Sequence, residues 1–190
     1  MVTNSPSSLQ HHFLIAMPAL DNSIFHRSVV YVCEHDEQGA MGIIVNKPTK
    51  VMLKELLDHL EIDNPSSKPQ SIPVLFGGPV HQDQGLVIHN HSDDNWRTSL
   101  TLSHNIALTT STDILEKIGS EQGPKKSLVT LGYAGWDSGQ LEQEIADNSW
   151  LIVEADDDII FNTPADERWH AAAELLGFDI NLMPDIVGHA

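Results

Sequence analysis

Along most of this 190-residue chain, apolar residues come in short runs of four to seven, closed by glycine, proline or charge. Runs of that length predict strands more often than helices. His12 to Pro18 predicts a strand ended by proline. Ser28 to Cys33, β-branched and aromatic, predicts a second, and Ala40 to Asn46 a third; the polar turn His35 to Gly39 makes the last two a hairpin. Further strands are predicted at Pro73 to Phe76, Gly85 to His89, Thr98 to Leu102, Ile106 to Thr110, Ser127 to Leu131, Trp150 to Val153 and Ile159 to Phe161.

Helical spacing is rarer. Met52, Leu53, Leu56, Leu57 and Leu60 fall on one face and predict a helix from Val51 to Glu61. Ser111 can cap a helix reaching Gly119, with Ile114, Leu115 and Ile118 inward. Gln140 to Asp147 is amphipathic, and Ala165 to Leu176 is stopped by Gly177. Short strands in runs and about four helices give an α+β protein with a largely antiparallel or mixed sheet. The Pro- and Ser-rich stretch Asp63 to Ser71 reads as a surface loop between elements of one unit. The expected organisation is a flexible leader over 1–10 and a single domain over 11–190.

Charge changes this picture in one respect. Ten Lys and Arg face 27 Asp and Glu, a net −17, and after Trp136 there are thirteen acids and a single base, Arg168. Such a field repels phosphate backbones, so direct DNA binding is disfavoured; Lys125-Lys126 reads as a pair and not a patch. The lone Cys33 cannot form an internal disulfide, the N-terminus has no basic-then-apolar signal pattern, and no apolar run approaches a membrane span. A cytoplasmic location is expected.

Three glycine-punctuated blocks stand out: Gly39 to Pro48, Phe76-Gly77-Gly78-Pro79-Val80, and Gly132-Tyr133-Ala134-Gly135-Trp136 running on to Gln140-Leu141-Glu142. The last is read as a turn between a strand and a helix. With Phe13 to Asp21, Cys33-Glu34-His35, Trp150, Arg168-Trp169 ahead of Leu175-Leu176-Gly177, and the terminal Gly188-His189-Ala190, these blocks resemble the YqgE/AlgH family of bacterial proteins almost end to end. The resemblance implies one α+β unit with a bent, partly barrel-like sheet surrounded by helices. It implies no reaction and no catalytic residues; some members of the family carry a transcriptional-regulator label.

The candidate chemistry is sparse. His89 and His91 lie two apart, so on a strand both imidazoles point to one side, with His81, Asp83 or Asp93 as a third ligand. No structural-zinc spacing supports a metal there, and none is expected. Cys33, after Val-Tyr-Val, reads as a buried thiol, and Asp156-Asp157-Asp158 as a solvated turn lacking the spacing of a calcium loop. The sequence contains neither a Gly-x-Ser-x-Gly elbow nor a phosphate loop.

What remains is a polar-aromatic set at the block edges: Asn46, Lys47, Tyr133, Trp136 and Gln140, residue types suited to recognition. The competing reading makes Trp136 core and Asn46 a turn cap. The functional expectation is a non-enzymatic binding or regulatory module, without cofactor, acting on an unidentified protein or small molecule. The alternative is a hydrolase-type enzyme working through His89 and His91.

Overall fold

The structure, a computed structural model, describes residues 8–20, 23–91, 96–177 and 179–180. The candidate ligand Asp93 and the terminal Gly188-His189-Ala190 block lie outside them. β1 (His12–Ala16), β2 (Val29–Asp36) and β3 (Gly39–Ile44) form the antiparallel meander that the apolar runs predict. Their runs are continuous because both faces are covered. Phe13, Ile15, Val29, Tyr31 and Ile43 enter one core, while Leu14, Val30, Val32 and Ile44 enter another. Leu9, ahead of β1, is also buried in the second core.

β4 (Pro48–Met52), β5 (Pro73–Phe76), β6 (Val80–Asn90), β7 (Ser99–Thr101), β8 (Ile106–Thr109), β9 (Ser127–Asp137) and β10 (Trp150–Glu154) complete the strands. The sheet runs β10-β1-β2-β3-β9-β6-β8-β7, every neighbour antiparallel, and curls into a half-barrel. β4 pairs with β5, and β5 lies parallel to β9, so one pair makes the sheet mixed. Helices α1 (Leu53–His59), α2 (Gln140–Ala146), α3 (Asp157–Phe161) and α4 (Arg168–Glu174) pack around it. The architecture is α+β, with no helix among the described residues long and apolar enough to cross a membrane.

Four local expectations are corrected. The segment Gly132 to Trp136 is not a turn: β9 runs straight through it to Asp137. Gly132 takes φ +73°, which bends the strand without ending it, and there β9 changes partners. Residues before it pair with β5 and β6; Ala134 to Asp137 pair with β3. The helix predicted from Val51 begins at Leu53, because Pro48 to Met52 pair as a strand and the Glu55 carboxylate accepts the Met52 N–H at 2.8 Å. Ile159 to Phe161 is helix, not strand. The Asp156 carboxylate accepts the Asp158 N–H at 2.8 Å, and that cap outweighs the β-branched run. The helix predicted from Ser111 to Gly119 is a single 3-10 turn, Thr112–Ile114, followed by turns; Ile114, Leu115 and Ile118 are buried as the pattern requires.

The three glycine blocks meet along β9. A Cβ on Gly78 would stand 2.1 Å from the carbonyl carbon of Tyr133, one on Gly132 would stand 2.4 Å from Gly78 O, and one on Gly39 would stand 2.2 Å from Trp136 O. Backbone presses on backbone at each point, so blocks far apart in sequence are parts of one crossing.

Candidate functional site

Three of the five candidate residues, Asn46, Lys47 and Trp136, contact the loop 23–28, and Gln140 joins Trp136 through Glu144. Asn46 Oδ1 accepts the Val29 N–H at 2.8 Å, and its Nδ2 donates to Arg27 O at 2.8 Å. The Lys47 ammonium donates to Ile24 O, and burial pulls its pKa below the ordinary lysine range. From the opposite side Phe25 stacks on Trp136 with centroids 6.3 Å apart and meets Trp150 edge-on at 5.4 Å. Trp136 and Trp150 both donate to Glu144 Oε2, and Gln140 donates to Glu144 Oε1 at 3.0 Å while accepting the Asp137 N–H. Asn46, Lys47, Trp136 and Gln140 thus spend most of their polar capacity on the protein itself. Trp136 is only 6% exposed.

Tyr133 is separate from them. It is three residues from Trp136 on the same strand, an odd spacing that sends the two rings to opposite faces. Half-buried against the larger core, it lies 5.9 Å from the His81 ring. Tyr133 walls a cleft of about 340 Å³ with Met41, Leu86, Leu100, Gln84 and Glu34. A second hollow of about 250 Å³ adjoins it through Glu34 and Met41 and adds Asp36, Gln38 and Trp136. The result is an apolar groove with a tyrosine in its wall and carboxylates at its rim, floored by β3, β6, β8 and β9.

The catalytic candidates do not assemble. His89 is 1% exposed, with Nε2 2.8 Å from Thr109 Oγ1 and Nδ1 2.9 Å from Asn90 O. His91 lies past the end of β6 and is exposed. Among the described residues no group of three or more His, Cys, Asp or Glu is placed to hold a metal ion. Cys33 is fully buried, and burial pushes its thiol well above the ordinary range, which suppresses the nucleophilic thiolate. Asp156 to Asp158 cap and open α3 instead of forming a free acidic turn.

Sequence reasoning missed Phe25, Glu144 and the rim acids Glu34 and Asp36. Glu144 had a signal, since it sits four residues beyond Gln140 on one helical face. Phe25 had none, because its partners are more than a hundred residues away.

Comparison with known proteins agrees with this fold. The family description AlgH-like (DUF179) matches residues 13–181. A UPF0301 protein of Thioalkalivibrio sulfidiphilus is 51% identical over 184 residues, covering 97% of this chain and 98% of its own length. The UPF0301 protein YqgE of Escherichia coli is 50% identical over 188 residues, covering 96% of this chain and all of its own. The solution structure of the AlgH protein from Pseudomonas aeruginosa superimposes with a TM-score of 0.80 at 45% identity, over the whole of both chains. A crystal structure from Corynebacterium diphtheriae shares the fold, with a TM-score of 0.71 at 22% identity over 92% of this chain and 89% of that one.

Proposed function

The chain belongs to the AlgH-like family, and we propose that it works as a non-catalytic binding module whose recognition surface is the groove beside Tyr133. The observation that carries this reading is the groove itself: apolar walls from Met41, Leu86 and Leu100, one tyrosine ring, and Glu34 and Asp36 at the rim. Aromatic and methionine side chains in a concave apolar site are what recognition surfaces use, and rim carboxylates select a positively charged neighbour. In a protein of net charge −17 the long-range field favours the same partner. The occupant is a segment of another protein presenting an apolar side chain next to Lys or Arg. A regulatory effect then acts through that protein and not through contact with DNA.

The hydrolase reading lacks comparable support. His89 is buried, and among the described residues no group of three or more His, Cys, Asp or Glu is placed to hold a metal ion for His91 to join.

The test is capture of partners by wild-type protein, Tyr133→Ala and Glu34→Lys, with Lys54→Glu on the far helix α1 as a control. Captured protein should be lost in the first two variants and retained in the third, and wild-type capture should weaken as salt is raised. Equal capture by Tyr133→Ala and wild type would reject the groove.

A further inference from the structure

Three of the ten cationic side chains line one cavity that shares no residue with the groove. Lys68, Lys125 and Lys126 line a hollow of about 800 Å³ between residues 68–72, the 118–127 loop and the end of α3. Lys125 and Lys126 look like an isolated pair in sequence; the fold brings Lys68 to them across more than fifty residues. Gly119 makes this possible. It takes φ +86°, and a Cβ there would stand 2.8 Å from the Lys68 Cβ, so the absent side chain lets the two segments close.

The walls are tied together. Asn64 Nδ2 donates to Leu115 O and Ile118 O at 2.8 and 3.0 Å, Ser66 Oγ donates to Gly119 O at 3.1 Å, and the Lys126 N–H donates to Asn90 Oδ1 at 2.8 Å. Its cations are thus carried on anchored backbone.

The charge at this place runs against the rest of the molecule. Five of the other seven bases are engaged: Lys54 with Asp58, Arg97 with Asp113, Lys47 with Ile24 O, Arg168 with Thr163 O and Val45 O, and Arg27 over the Trp169 ring; Lys50 and Lys117 lie outside the cavity lining. Among the described residues none of Lys68, Lys125 and Lys126 forms an ion pair, and the lining holds one acid, Glu121. Three lysines without ion pairs beside one cavity, in a protein with 27 acids, make a local positive patch that favours an anion. Ile72, Ile118 and Phe161 add an apolar wall. The volume is that of a small-molecule site, much larger than a bare phosphate needs.

We propose that this cavity binds a phosphorylated small molecule, its phosphates held by Lys68, Lys125 and Lys126 and its apolar or aromatic body against Ile72, Ile118 and Phe161. Lysine serves here as a mobile point charge, the form in which it commonly contacts phosphate.

The test is titration of isotope-labelled full-length protein with ADP, inorganic phosphate and a ten-nucleotide single-stranded RNA, followed by amide NMR at low and physiological salt. ADP should shift amides confined to 66–72, 118–127 and 161–162, with affinity falling as salt is raised and at least tenfold in Lys125→Glu/Lys126→Glu. Lys68→Gln, a milder exposed change, should weaken binding several-fold and guards against a folding defect in the double variant. Phosphate should bind the same place more weakly. No shifts with millimolar ADP, shifts elsewhere, or binding indifferent to the lysine changes would overturn the site. Phosphate equal to ADP would overturn the apolar contribution, and RNA tighter than ADP would overturn the small-molecule assignment.

Discussion

Trp136 and Trp150 donate their indole N–H groups to one carboxylate oxygen, Glu144 Oε2, each at 2.8 Å. The rings meet edge-on with centroids 6.0 Å apart, and both indoles are nearly buried. An ionised carboxylate has lone pairs enough for two donors on one oxygen, and charge strengthens both bonds. This single acceptor ties α2 to β9 and β10 and sets the aromatic wall against which Phe25 rests.

Removing that acceptor should therefore cost more than a surface glutamate would. Glu144→Ala leaves two indole donors unsatisfied and is expected to destabilise by about 2–4 kcal/mol. Glu144→Gln keeps one acceptor oxygen but turns an amide donor toward Gln140 or the indoles, and should cost roughly half as much. Urea unfolding of the two variants checks the order; an alanine variant within about 0.5 kcal/mol of wild type would show that the indoles find water instead.

The opposite faces of β9 predict different roles for its two rings. Trp136→Ala empties a core position and should cost roughly 3–5 kcal/mol. Tyr133→Ala, from a half-buried position at the groove, should cost about 1–2 kcal/mol and leave a single calorimetric transition, since the cores share one sheet. Equal losses would put both rings in the core and remove the groove's anchor.

What was legible in the sequence follows from range. The β1–β3 meander, β5, β8, β10 and α2 are marked by local period and local turn chemistry. The hidden elements depend on distant partners. β4 is largely exposed and carries little apolar signal; it exists because Leu75 and Pro73 pair with Pro48 and Met52. The strand character of Gly132 to Trp136 is imposed by β3, nearly a hundred residues earlier. The same holds for the sites. Tyr133 was identifiable as a residue type, but the groove needs Met41, Leu86 and Leu100 from three other strands. Asn46, Lys47 and Gln140 look like recognition groups in sequence because the backbone carbonyls and amides that occupy them leave no pattern there.

Glu142 gives a signed dependence on pH. Its carboxylate is held below the ordinary glutamate range, first by its own backbone N–H in the opening turn of α2, then by His35, whose Nε2 lies 2.7 Å from Oε1. A depressed folded value means stabilisation that is present above the unfolded value of about 4.3 and is lost as pH falls through the folded value. The gap in stability between wild type and Glu142→Gln should accordingly close as pH falls below about 4. A gap that widens on acidification contradicts this sign. More than half of the Glu142 side chain is exposed, so the gap will be small.

The glycines divide into three classes, and alanine scanning should separate them. Gly85 has no atom within 4 Å of an added Cβ and no positive φ, so Gly85→Ala should be neutral or stabilise by about 0.4–1 kcal/mol through the unfolded chain. Gly139 also has open space, but it holds φ +75° ahead of α2; Gly139→Ala should cost about 1–2 kcal/mol from the left-handed backbone alone. Gly78 combines φ +152° with a Cβ that would overlap the Tyr133 carbonyl carbon at 2.1 Å and Ala134 N at 2.4 Å. No rotamer relieves a clash between Cβ and main chain, so β6 must separate from β9 where the curled sheet turns. Gly78→Ala should cost more than about 4 kcal/mol, the range reserved for broken backbone geometry or core. Hydrogen exchange places the damage: amides of Val80 and Tyr133 to Trp136 should lose protection first, ahead of the β1–β2 pair. If Gly78→Ala is no worse than Gly139→Ala, the crossing is pliable, and the glycine blocks meet there without being required to.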